Sequence, residues 1–136
     1  MTEKGLSRTN ETTRRALAMA SSRPAEALSL LDAELELARE SADDEAVVTL
    51  ARNAGVLRSA SNNLRDALAN FEEACRVAPD DPYLHLAVAD VRRRLSEIPE
   101  AANSLRRSLK CAQAVGDSEL AAAASRALSE LDRESD

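Results

Sequence analysis

Tryptophan is absent from this 136-residue chain, and Phe71 and Tyr83 are its only aromatic residues. Three glycines and four prolines punctuate it. Strands draw on aromatic and β-branched residues, so this scarcity argues against a sheet. Long apolar runs are missing too: none approaches the roughly 18 residues a membrane span needs. The opening stretch MTEKGLSRTNETTRR has no apolar core of the kind a secretory leader carries. A cytoplasmic protein is expected, with residues 1–9 as a flexible tail. Positive charge is in deficit, the net charge being −6, which speaks against nucleic acid or an anionic membrane as partner. Two cysteines, Cys75 and Cys111, and one histidine, His85, are too few nitrogen and sulfur ligands for a zinc site. Both cysteines lie on helical patterns and are expected to serve as small buried hydrophobes.

What the chain has in quantity is helix former. It holds 27 Ala and 19 Leu, and Arg and Glu supply most of its charge, so the fold class is all-α. Hydrophobic residues make up 44%, enough to exclude disorder throughout. Sixteen of 18 basic residues are Arg, a bias that points to a GC-rich bacterial source.

Apolar residues recur at helical spacing in about seven segments, near 10–21, 24–40, 44–60, 64–77, 82–95, 99–114 and 117–133. Pro24, Pro82 and Pro99 stand near helix starts, where a missing N–H costs nothing. Asp81 is a candidate N-cap before Pro82, and Pro79 follows the end of the helix before it. Asp43, Asp44 and Glu45 read as residues that complement a helix dipole. Connections this short fold neighbouring helices into antiparallel hairpins.

The segments repeat. At an offset of 34, Ala54 meets Val88, Gly55 meets Ala89, Leu57 meets Val91 and Leu64 meets Ile98. Ala67 meets Ala101, Leu68 meets Ala102, Phe71 meets Leu105 and Ala74 meets Ser108. Backwards, an offset of 40 pairs Leu17 with Leu57, Ala27 with Ala67, Leu28 with Leu68 and Leu31 with Phe71. Small residues at Gly55, Ala67 and Ala74 permit close helix approach, while Phe71 and Leu105 fill the seams. One pair cannot bury its apolar face alone, so stacking must make the core.

Gly55, Ala67, Phe71, Ala74 and Pro79, at successive spacings of 12, 4, 3 and 5, resemble the tetratricopeptide repeat (TPR). Asn53 and Leu64 also match frequent choices of that family. The resemblance is strongest over 48–81, good over 82–115 and fair over 10–47. Departures are Arg58 where a large aromatic is usual, Glu34 where a small residue is expected, and Ser108 for Ala. Glu11 and Arg14 occupy positions that are normally apolar. The resemblance implies a right-handed superhelix of antiparallel helix pairs: repeats at 10–47, 48–81 and 82–115, a capping helix at 117–133 and a tail at 134–136.

No phosphate loop, nucleophile elbow or paired-histidine metal motif is present in the sequence, so no catalytic, cofactor or metal residue is assigned and an enzyme is not expected. The Arg92–Arg93–Arg94 run reads as a solvated face, and His85 as a core or boundary residue. The resemblance implies instead a non-catalytic adaptor whose concave groove holds a peptide or helix of another protein. Carried over, the groove positions are Thr49, Arg52, Asn53, Val56 and Ser59, then Tyr83, Leu86, Asp90, Arg93 and Arg94. Ala122, Ser125 and Ser129 would extend them. The carboxylate clamp that some members use on heat-shock chaperone tails is not assembled, because Tyr83 and Ala87 stand where it needs Lys and Arg. Alternatives are a homo-oligomeric module joined through its terminal helices and a small bacterial secretion chaperone.

Overall fold

Helices α1 (Glu3–Met19), α2 (Pro24–Glu40), α3 (Asp44–Ala60), α4 (Leu64–Val77), α5 (Pro82–Arg94), α6 (Ile98–Val115) and α7 (Ser118–Ser135) make up the fold, and the described residues contain no strand. The computed structural model describes the backbone of residues 3–135 and the side chains of residues 8–134. Boundaries expected from sequence hold for α2, α3 and α4 and move by one or two residues at α5, α6 and α7.

Helix starts follow the expected chemistry. Asp43 accepts a hydrogen bond from the Ala46 N–H (3.3 Å) and Asp81 from the Tyr83 N–H (2.9 Å). Asp117 does the same for Leu120 at 3.0 Å. Each carboxylate satisfies an amide that the first helical turn leaves without an internal partner. The ends of α2, α3, α5 and α6 share one backbone solution. Ala42, Asn62, Ser96 and Gly116 all take left-handed φ values, between 52° and 75°. The next amide then reaches back five residues: Asp43 to the Ala38 carbonyl, Asn63 to Arg58, Glu97 to Arg92 and Asp117 to Ala112, at 2.8–2.9 Å. This is the Schellman closure, which satisfies otherwise orphaned carbonyls and turns the chain sharply.

The stretch 10–133, expected as one domain, divides into two units, Met1–Val77 and Ala78–Asp136. In helical repeats a pair packs only against its neighbours, so contacts remain local and cores form separately. The first unit holds α1 to α4 around Ala27, Leu31, Leu35, Leu50, Ala54, Ala67, Phe71 and Ala74, none more than 2% exposed. The second holds α5 to α7 around Leu84, Val91, Ala101, Leu105, Ala112, Ala124 and Leu131, none more than 3% exposed. Burying a leucine such as Leu31 or Leu84 completely contributes about 2 kcal/mol.

Burial reproduces the 34-residue repeat. Ala54 and Val88, Leu57 and Val91, Ala67 and Ala101, and Phe71 and Leu105 are buried pairwise, as are Ala74 and Ser108. Ser108 keeps its hydroxyl in that dry position by donating to the Pro82 carbonyl at 2.8 Å.

The first helix departs from expectation in two ways. α1 starts at Glu3, so residues 3–9 are helical rather than a loose tail, with residues 1 and 2 outside the described part. Arg8 grips Glu34 through Nε and Nη2 at 2.7–3.0 Å, and Thr9 is 6% exposed. That contact explains Glu34 in a position suited to a small residue. The 40-residue offset also fails in α1: Leu17 is 49% exposed, whereas Leu57 is 8% exposed. The turn Ala20–Arg23 holds four residues where the turn between α3 and α4 holds three. One extra residue moves the correspondence to 41, pairing Thr9 with Leu50, Thr12 with Asn53, Thr13 with Ala54 and Ala16 with Leu57. Thr9, Thr12 and Ala16 are all buried; Glu11 and Arg14 face solvent, their polar side chains thereby explained. At the other end α7 continues to Ser135, so residues 134 and 135 of the expected tail are helical, with residue 136 outside the described part.

Candidate binding cleft

In the second unit, α5, α6 and α7 enclose a cleft of about 300 Å³. α5 contributes Leu86, Ala89, Asp90 and Arg93; α6 contributes Leu105; α7 contributes Ala127, Glu130 and Leu131. The spacing Leu86, Ala89, Asp90, Arg93 is that of one helix face, and Ala127, Glu130, Leu131 is its counterpart. Ala89, Leu105 and Leu131 form the floor at 2–3% exposure, with Leu86, Ala127 and Leu128 packed beside them. Ala89 is the small residue that opens the space, because a larger side chain there would fill it.

The rim is charged. Arg93 lies 3.5 Å from Asp90 and 3.8 Å from Glu134, and Arg94 lies 3.8 Å from Asp90. Side-chain exposures of 32–52% leave these ions largely hydrated, so each pair contributes little and yields readily to another ion. The first unit's bridges have a different geometry. Arg39 holds Glu73 at 2.6 and 2.7 Å, and Arg58 holds Asp32 at 2.7 and 3.1 Å while donating to Asn70 at 2.8 Å. Those bidentate grips tie helices together.

Leu86, Asp90 and Arg93 meet at the cleft. Tyr83, 39% exposed, and Arg94 lie on the same helix outside its lining. Ser125 does not line it; α7 turns Ala127, Glu130 and Leu131 inward instead. The alternation of Leu120, Ala124, Ala127 and Leu131 along α7 was the available signal for that face. Arg92, read as part of a solvated run, pairs with Glu97 at 3.0 Å and is half-buried. In the first unit, Thr49, Arg52 and Ser59 on α3 are half-buried and Val56 is 36% exposed. Asn53 is 9% exposed and turns its amide onto its own helix, donating to the Thr49 carbonyl at 2.7 Å.

A second recess, between α1 and α2 and about 580 Å³, lies among Arg15, Met19, Arg23, Glu26 and Leu30, but none of its lining residues is buried. His85 is 8% exposed and bonds the Pro79 carbonyl at 2.6 Å, a structural contact that anchors the start of α5. Cys75 and Cys111 form no disulfide and are half-buried, less enclosed than expected. Among the described residues no group of His, Cys, Asp or Glu is placed to hold a metal ion, and no helix is long and apolar enough to cross a membrane.

Hairpins of this length, repeated at 34 residues and closed by the same turn, define an all-α helical-repeat protein. Residues 15–80 match the tetratricopeptide repeat family. That match spans the segments whose motif was fair and strong, and it stops before 82–115. Two solved structures share the fold. PcrH from Pseudomonas aeruginosa is 15% identical with a TM-score of 0.77, covering 97% of this chain and 95% of that one. The Yersinia enterocolitica type III secretion translocator chaperone SycD is 16% identical with a TM-score of 0.77, covering 93% and 84%. No curated protein matches the sequence.

Proposed function

We propose that this chain is a non-catalytic protein-binding adaptor that seats an apolar side chain of a partner segment in the α5–α7 cleft. The observation that carries this reading is the combination of a dry floor and a loosely paired rim. Leucine-sized apolar surface gains about 2 kcal/mol on entering such a pocket. Arg93 can exchange its weak contacts with Asp90 and Glu134 for a carboxylate of the partner, and the released acids can meet a basic neighbour. Specificity would then come from the order of apolar and charged residues in the partner.

SycD is described as a secretion chaperone, and sharing its fold makes an export substrate held before translocation a narrower version of the same reading. The test is affinity capture from a source lysate with wild-type chain and with Ala89→Phe, which fills the cleft from its floor. A partner held by wild type and lost from the variant, with helical circular dichroism unchanged, supports the assignment. Equal capture by both refutes it. If Ala89→Phe loses its helicity, Leu86→Glu at the cleft wall supplies the same comparison.

A further inference from the structure

We propose a second docking surface, on the outer face of α6, that takes a short acidic segment of a protein partner. Arg106, Arg107 and Lys110 stand on that face, all exposed, flanked by exposed Asn103 and Gln113. These positions fall at i, i+3, i+4, i+7 and i+10, a single stripe about 15 Å long at 1.5 Å per residue. Residues 101–116 contain no Asp or Glu, so this stretch carries +3 in a chain whose net charge is −6.

The usual structural reasons for such cations do not apply. The last turn of α6 contains no basic residue, and the helix dipole is felt only within that turn. Neither Glu nor Asp lies three or four residues away to form a surface pair on the helix. Among the described residues the three cations form no ion pair; Arg106 donates only to the neutral Asn103 side chain, at 2.9 Å. The chain's other basic run, Arg92 to Arg94, is by contrast matched with Glu97, Asp90 and Glu134.

Charge complementarity selects the occupant. A stripe this short spans about two screening lengths at physiological salt, where the Debye length is ~8 Å. A segment with three or four carboxylates along 15 Å fits within it. A long polyanion would overrun it onto the acidic remainder of the chain and be repelled. Arg106 and Arg107 offer forked donors suited to carboxylates, and Lys110 adds a point charge one turn further on.

The experiment is fluorescence anisotropy of a labelled hexaglutamate peptide with the full chain. Wild type is expected to bind it, with affinity falling at least fivefold between 50 and 300 mM salt. The triple change Arg106→Gln, Arg107→Gln and Lys110→Gln should lower affinity about tenfold or more with helical circular dichroism retained. Ala89→Phe should leave it unchanged, which separates this surface from the α5–α7 cleft. Absence of binding, or equal binding by the triple variant, overturns the proposal. So does tighter binding to a thymidine oligonucleotide or to phosphatidylserine vesicles than to the peptide.

Discussion

A β-carbon built on Gly55 would stand 2.8 Å from Cε1 of Phe71 and 2.9 Å from its Cζ, so the ring occupies the space a side chain at position 55 would need. This contact lets α3 and α4 approach closely, and it couples the two residues energetically. Gly55→Ala gains about 1 kcal/mol of helix propensity but overpacks the ring by about 1–3 kcal/mol, for a net loss of about 1 kcal/mol. In a Phe71→Leu background the sign should reverse. Urea denaturation of the four proteins of this cycle measures both, and additivity would show that the contact does not couple them.

Thr13 presents the opposite case. Its hydroxyl is buried and has no hydrogen-bond partner, at the place where the repeat has Ala54. A buried polar atom left unpaired costs about 1–3 kcal/mol. Thr13→Ala is therefore expected to stabilise the chain by about 1 kcal/mol and to raise the urea midpoint. A lowered midpoint would mean that the methyl group's packing outweighs the orphaned oxygen.

Arg58 replaces an aromatic residue with a polar tie. Its guanidinium joins Asp32 on α2 to Asn70 on α4, and Asn70 is only 7% exposed. Arg58→Ala should cost about 2 kcal/mol, because it leaves the Asn70 carbonyl oxygen buried without its donor. Adding Asn70→Ala should make the second step nearly free, which the same denaturation series would show.

Glu73 makes stability depend on pH. The hydrogen bond from Arg39 holds its carboxyl below the usual range; burial opposes this, and the charges of Arg39 and Arg76 assist it. A carboxyl depressed in the folded state releases its proton there more easily than in the unfolded chain. Its contribution is thus complete above the unfolded value of 4.5 and is lost as pH falls below it. The contribution should be about 0.5–1 kcal/mol, as for a partly solvated pair. Urea midpoints between pH 7 and pH 3 should fall less steeply for Glu73→Gln than for wild type; parallel curves would remove Glu73 from the acid response.

The helical repeat was legible because packing uses a local code. Ala67, Phe71 and Ala74 lie within two turns, and their equivalents Ala101, Leu105 and Ser108 recur with no long-range information needed. The register of α1 was not legible, because nothing in Ala20–Arg23 marks one extra residue: it contains neither glycine nor a turn signature. Arg8 with Glu34, and Arg39 with Glu73, lie 26 and 34 residues apart, so their pairing depends on the hairpins already being folded. For the site, the expected α5 positions Leu86, Asp90 and Arg93 fall together on the cleft wall because that helix face follows from the repeat. α7 falls outside the 34-residue recurrence, so the placement of Ser125 had no equivalent position to guide it.

The four Schellman turns bear on how quickly the chain finds its structure. Each joins two helices across only two or three residues, so the contacts of every hairpin are close in sequence and loop closure is entropically cheap. Relative contact order is correspondingly low, and refolding is expected on the microsecond-to-millisecond scale typical of helical proteins. Because the described residues contain no strand, folding leaves no unpaired strand edge among them for a second molecule to pair with.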